Sequence, residues 1–318
     1  MYGACLVRFR LVEGSSRGDK RLHQKTINMK QINRRSFLHQ SALAVAAMGS
    51  VPRVLQAASS PNGFQFGLVT YQWGKDLDLP SLIATCEKAG IHGVELRTQH
   101  AHQVEPVLSA AERSEVKKRF ADSSVTLVGY GSNAEFHSTD PAKVKENIEL
   151  AKQYIQLMKD CGGSGVKIKP NAFVDNVPHE KTIEQIGKSI NKVAAFGAEL
   201  GQEVRVEVHG KGTSEIPAIK SIFEVADHPN AKICWNSNPG DLNGQGLEHN
   251  FELLHKRFGH TTHVRQLDTP DYPFAKLLKS FQGIQYQGWI LLEAGSNPPE
   301  NLVESLEAQR NLFEQMTS

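Results

Sequence analysis

Cysteine is scarce in this sequence: four in 318 residues, at positions 5, 86, 161 and 234, with no CxxC pair. Such spacing excludes a disulfide framework and a tetrathiolate metal site, and makes Cys86, Cys161 and Cys234 inert buried thiols by expectation. Long apolar runs are also missing. No stretch reaches the roughly 18 to 20 residues that a spanning helix needs, so no stable membrane anchor is expected. A GxGxxG turn does not follow the first strand-like segment, which weakens a dinucleotide-binding reading. No linker or low-complexity segment interrupts residues 64–316. That stretch therefore reads as one domain, of a size usual for an α/β barrel.

Positive charge is unevenly spread. Residues 1–58 hold ten of the 36 Lys and Arg but two of the 34 Asp and Glu, leaving 26 basic and 32 acidic residues, a net of −6, in the remainder. An acidic body is a poor match for a polyanion, so no nucleic-acid partner is expected. Within the basic segment, Asn33-Arg34-Arg35-Ser36-Phe37-Leu38 precedes an Ala-rich apolar run from Ser41 to Val51 and then Leu55-Gln56-Ala57-Ala58. A paired arginine, a short hydrophobic segment and small residues at a cut point make a twin-arginine export signal, with a periplasmic destination. The division expected is a leader over 1–58 and a barrel over 59–318. Met29 would open a signal of ordinary length, which makes residues 1–28 a disordered extension or a product of start-codon choice.

From residue 64 onward short apolar runs alternate with helical patterns, the signature of repeated βαβ units. Strands are expected at 66–71, 93–97, 126–129, 165–169, 204–208, 232–235, 262–266 and 289–293. The intervening helices fall at 79–89, 110–122, 141–161, 180–200, 216–226, 247–258, 273–281 and 299–316. Gly90 and Gly201 are natural helix stops, and Asp140-Pro141 places a capping carboxylate before a first-turn proline. Eight strand–helix pairs of this regularity imply a single (β/α)8 TIM barrel of the α/β class.

Barrel enzymes carry their reacting groups at the carboxyl ends of the strands. Here those ends are polar at every second residue, and side chains alternate across a strand. Glu95 shares a face with Arg97, Lys167 with Lys169, Glu207 with His209, and His263 with Arg265. Asn236 shares one with Cys234, and Glu293 with Leu291. The apolar alternates face the helices, so the polar set converges on the barrel mouth. Charges do not gather in a small volume without a partner, a metal or a substrate. A self-satisfied ion-pair network is the competing account, and Lys167 and Lys169 would serve it by pairing with Glu207.

These residues carry a resemblance. Gly93-Val94-Glu95-Leu96-Arg97, Glu207-Val208-His209-Gly210, Trp235-Asn236-Ser237-Asn238, Arg265-Gln266-Leu267-Asp268 and Leu291-Leu292-Glu293 fall in order on strands two, five, six, seven and eight. Over about residues 64–316 the chain resembles the sugar isomerase/epimerase group of xylose-isomerase-like barrels, relatives of the endonuclease IV fold. The resemblance implies a divalent metal (manganese, cobalt, zinc or magnesium) held by Glu on strand five, Asp on six, His on seven and Glu on eight. Glu207 and Glu293 match by position, while Asn236 stands for the Asp and Arg265 for the His. Asparagine still offers a neutral oxygen, whereas arginine binds no metal. His209 and His263 are the alternative nitrogen donors.

The partner implied is a small carbohydrate, a ketose or keto-sugar. One carboxylate would remove a proton beside the carbonyl and a second group would return it, with Glu207 and Glu293 as the pair. The metal, or Arg265 and Lys169, would stabilise the enediolate oxygen. Glu95, Arg97, His100, His102, Glu135, His137, Lys169, Asn238 and Asp241 are expected to line the substrate pocket. Two other functions fit the same residues: a keto-glycoside lyase or hydrolase, and a sugar-binding barrel without catalysis. The sequence allows an oligomer.

Overall fold

The computed structural model describes residues 63–318, so the expectations for the leader lie outside the described residues. Eight strands form the centre: β1 Gln65–Val69, β2 Gly93–Arg97, β3 Thr126–Glu135, β4 Gly165–Lys169, β5 Glu203–Glu207, β6 Ala231–Cys234, β7 Thr261–Val264 and β8 Trp289–Leu292. Eight helices follow them in turn: α1 Leu79–Ala89, α2 Ala110–Ala121, α3 Pro141–Cys161, α4 His179–Glu199, α5 Ile216–Val225, α6 Leu247–Leu254, α7 Phe274–Gly283 and α8 Leu302–Thr317. The strands run parallel in the order β6-β5-β4-β3-β2-β1-β8-β7. The remaining seam, between β6 and β7, is held by the bridge Asn236–His263 and by the His263 N–H on the Trp235 carbonyl at 2.7 Å. The result is the TIM barrel that the strand–helix alternation implied.

Local chemistry explains the helix ends. Asp78 accepts the Ser81 N–H at 2.8 Å and Asp140 the Ala142 N–H at 2.9 Å, each satisfying an orphan donor of the first turn. Ser109 and Glu112 cap one another's backbone in a reciprocal box at the start of α2. Gly90 ends α1 in the left-handed conformation at φ 66°, as its lack of a Cβ allows. The apolar strand residues Val94, Leu96, Val166, Ile168, Val204 and Val206 are all fully buried. No helix among the described residues is long and apolar enough to cross a membrane.

The barrel interior is polar in layers. At the amino-terminal end, the fully buried Arg205 donates from Nε to Glu203 at 2.7 Å, from Nη2 to Ser164 at 2.8 Å and from Nη1 to the Val128 carbonyl at 3.3 Å. Gly129 and Gly165 leave the room for it: a Cβ at Gly129 would lie 2.6 Å from Nη1. Strand parity places Arg205 inward together with Glu207, although nothing in the sequence names its partners.

Two departures from the sequence reading have physical causes. Strand β3 runs to Glu135 rather than ending near Gly129, because its Gly- and Ser-rich second half pairs with β2 and β4 instead of looping. Helix α6 stops at Leu254, and a single 3₁₀ turn, His255–Arg257, completes the stretch expected as helix. The three cysteines are buried free thiols, and burial pushes Cys86 up to about 12 and Cys161 up to about 11. Both are inert at neutral pH.

Where β1, β2 and β8 meet, the Trp289 ring lies against Gly93, and a Cβ there would come within 2.2 Å of the ring. Trp289 is thus a packing residue. Gly93→Ala is expected to cost about 1–3 kcal/mol through overpacking. A urea unfolding midpoint indistinguishable from that of the wild type would show that the ring yields.

Candidate active site

Strand alternation brings Glu207, His263 and Glu293 together from β5, β7 and the residue after β8. One donor atom of each lies within 4.8 Å of the others. His263 Nδ1 faces Glu207 Oε1 at 3.7 Å and Glu293 Oε2 at 3.5 Å, while its Nε2 faces Glu95 Oε1 at 3.2 Å. Glu95, Glu207 and His263 have essentially no solvent contact. Of the two histidines offered as nitrogen donors in place of Arg265, His263 is the one whose ring nitrogen joins the two glutamates.

Glu207 and Glu293 each also have a cation. Lys167 donates to Glu207 Oε2 at 2.5 Å, Asn236 Nδ2 donates to Glu207 Oε1 at 3.1 Å, and Arg97 Nη1 donates to Glu293 Oε1 at 2.9 Å. Burial raises the Glu207 carboxyl, but Lys167 and His263 outweigh it and hold the group well below the usual carboxylate range. Burial and the facing Glu207 likewise raise Glu293, and His263 and Lys167 bring it down to about 2. Both are anions at neutral pH.

Does this set suit a divalent cation? Neither oxygen of Glu95 and neither ring nitrogen of His263 makes a hydrogen bond with any described residue. Buried polar atoms without partners are costly, and a bound ion is one remedy. Two carboxylates and an imidazole form a donor set usual for zinc, manganese or cobalt. The residues fit the group. Asn236, at the position of an expected acidic ligand, spends its amide on Glu207, and His209 is not among the convergent donors.

A second polar layer lies on the rim around β3, β4 and β5. Lys169 donates to Asn133 at 3.1 Å, and burial followed by the neighbouring Lys167 lowers its ammonium to about 8. His209 Nδ1 donates to Asn171 Oδ1 at 3.1 Å, and the Asn171 amide donates in turn to Glu135. His137 lies 4.0 Å from Glu135. Gly210 makes the approach possible at φ 104°, since a Cβ there would overlap the Asn171 carbonyl at 1.4 Å. On the β1–β2 side, Thr70 accepts the Arg97 N–H at 2.9 Å and holds His100 Nδ1 at 3.2 Å. Burial, then His102 and Arg97, lower His100 to about 4, so its ring is neutral.

Three residues expected to line the pocket, together with Arg265 and Asp268, are engaged by neighbouring protein groups. His102 is buried and commits both ring nitrogens to backbone, Nε2 to the Arg97 carbonyl at 2.8 Å and Nδ1 to the Val104 N–H at 3.0 Å. Arg265 donates Nε to the Ser237 carbonyl at 3.0 Å and Nη1 to Asp271 at 3.0 Å. Asn238 spends its amide on the Val208 and Asn236 carbonyls at 2.7 and 3.1 Å. Asp241 is fully buried, accepting the Tyr272 hydroxyl at 2.7 Å and the Asn238 N–H at 2.9 Å. Asp268 braces Gln309 of α8 at 3.0 Å.

Glu105 was not singled out from sequence. It accepts from the Gln99 N–H at 2.6 Å, Tyr154 at 2.7 Å and Tyr130 at 3.0 Å, tying down the loop that carries His100. Its signal was too thin to read, because its aromatic partners come from two other elements.

A (β/α)8 barrel that gathers buried carboxylates and an imidazole at the carboxyl ends of its strands has the architecture of a barrel enzyme's metal centre. Residues 83–312 match the family model described as xylose isomerase-like TIM barrel, and the chain belongs to that family. No curated protein matches the sequence. Among solved structures, L-ribulose 3-epimerase is similar at TM-score 0.68 and 14% identity, covering 80% of this chain and 94% of that one. The 3-keto-D-glucoside 4-epimerase of E. coli is similar at TM-score 0.64 and 12% identity, covering 80% and 98%. The IOLI protein with a bound zinc atom is similar at TM-score 0.67 and 13% identity, covering 80% and 98%. At such identities the likeness is one of fold.

Burial pushes Asp241 up from 3.8 to about 7, against its hydrogen bonds to Tyr272 and Asn238. A carboxyl whose folded pKa is raised stabilises the fold while protonated and loses that contribution as pH rises through the folded value. The wild type is therefore expected to lose stability between about pH 4 and pH 7 from this group, and Asp241→Asn to flatten that slope. Parallel stability–pH curves for the two proteins would rule the assignment out.

Proposed function

We propose that the chain is a sugar isomerase or epimerase that moves a proton next to the carbonyl of a ketose or keto-sugar. The observation that supports this best is the convergence of Glu207 and Glu293 on His263, both ionised by their surroundings, at the reactive end of the barrel. The chain belongs to the xylose isomerase-like barrel family, and structurally similar proteins include ketose and keto-glucoside epimerases.

In this reading Glu207, His263 and Glu293 hold a divalent ion, with the family's fourth position occupied by Asn236. Such an ion, when bound, polarises a substrate oxygen as a Lewis acid. The rest falls to side chains. Glu207 and Glu293 approach a bound sugar from different strands, so one takes the proton beside the carbonyl and the other returns it. Lys169, lowered to about 8, is poised to donate a hydrogen bond or a proton to the developing enediolate oxygen. His100, Glu135 and His137 stand on the rim, where hydroxyl groups would be oriented. The Arg34-Arg35 pattern of the leader extends the proposal to a protein exported folded to the periplasm.

The test follows the proton. Ketoses and 3-keto-glycosides are incubated with the enzyme and Mn²⁺ in D₂O, and deuterium incorporation is read by NMR. Glu207→Gln and Glu293→Gln are each expected to lower exchange at least about a thousandfold, with circular dichroism and thermal unfolding retained. Wild-type exchange in either variant would refute the pair. Loss of the aglycone with exchange would mark an elimination rather than an epimerisation, and binding without exchange would mark a sugar-binding barrel.

A further inference from the structure

Each of the three convergent side chains has a charged residue facing its second heteroatom. Glu207 turns Oε1 toward His263 and gives Oε2 to Lys167 at 2.5 Å. Glu293 turns Oε2 toward His263 and gives Oε1 to Arg97 at 2.9 Å. His263 turns Nδ1 toward both carboxylates and Nε2 toward Glu95 at 3.2 Å. Lys167 and Glu95 are fully buried, and the Arg97 guanidinium lies 5.2 Å above the Tyr71 ring. The three holders also pack on one residue: a Cβ at Gly131 would lie 2.5 Å from Arg97 Cδ, 3.1 Å from Glu95 Oε1 and 3.2 Å from Lys167 Cε. Gly131 is the floor on which the ring of holders stands.

We infer that Lys167, Arg97 and Glu95 are positioning residues that choose which atom of each donor faces a bound divalent cation, and that they set its affinity in opposite directions. The inference rests on the metal-holding role proposed above. A fixed ammonium or guanidinium on a carboxylate drains charge from the donor and repels a second cation nearby. It also compensates that carboxylate when no ion is bound, so the ion gains less by arriving. A carboxylate behind an imidazole does the reverse, holding the ring with Nδ1 inward and raising its basicity. Two holders therefore loosen the ion and one tightens it.

The sign of the effect separates this from simple anchoring of the donors, in which every truncation would weaken binding. Metal-free wild type, Lys167→Met, Arg97→Met and Glu95→Gln are titrated with Mn²⁺ by calorimetry, with thermal unfolding followed in parallel. Lys167→Met is expected to bind Mn²⁺ about tenfold or more tighter than wild type while its metal-free form melts lower. Glu95→Gln is expected to bind about 10- to 100-fold more weakly. Arg97→Met, at a less buried position, carries the same expectation as Lys167→Met and decides the matter if that variant does not fold. Equal or weaker binding in the cation variants, or unchanged binding in Glu95→Gln, overturns the inference alone. Wild type that takes up no Mn²⁺ overturns the metal-holding role, and this inference with it.

Discussion

Glu207 keeps its charge inside the barrel, and the rest of the upper structure follows from that. An ionised carboxylate taken out of water costs several kcal/mol unless it is compensated. Here Lys167 and Asn236 compensate it, and His263 faces it at 3.7 Å. Lys167 needs β4 to point it inward, and His263 needs the seam between β6 and β7. Arg97 from β2 and Glu293 from the end of β8 form a second carboxylate–cation pair, and Gly131 clears the space between the two pairs. Removing the compensation from any of these would leave a buried charge alone, so the residues stand or fall together.

Much of this was legible from the chain because side chains alternate across a strand. The parity argument placed Glu95, Lys167, Glu207 and His263 on inward faces, and the structure has them buried within the barrel. Helix boundaries written in local chemistry, such as Asp140-Pro141 and Gly90, were equally plain. What sequence could not supply was register. Whether β7 presents His263 or Arg265 to the centre depends on its stagger against β6, set by the Asn236–His263 bridge and not by any residue type. The same holds for Asp241 and His102, whose partners Tyr272 and Val104 are matters of loop path. Strand β3 was shortened for a related reason, since Gly129 and Gly131 look like loop residues until their neighbours Arg205 and Arg97 are seen to need the room.

Against the ligand set that the resemblance implies, strand eight offers Glu293 and strand seven His263, while strand six offers Asn236 and the rim of strand five carries a His209–Asn171–Glu135 chain. Exchanging a carboxylate for an amide removes one negative charge from the centre, and Lys167 removes the effect of another. Glu207 and Glu293 each face a fixed cation inside the barrel, and the solved barrels similar at 12–14% identity share its frame.

The seam between β6 and β7 has a mechanical meaning. Every other pair of neighbouring barrel strands is joined by a ladder of at least two paired residues, whereas β7 itself meets the β6 side through the single bridge Asn236–His263, whose residues both belong to the polar centre, and the other bridge, from Ile233, goes to Phe258 ahead of β7. The staves of the barrel are therefore fastened most lightly at the place where the chemistry is gathered. Whatever steadies Asn236 and His263 also stops the barrel from breathing open along that line, so closure of the fold and readiness of the site are one event.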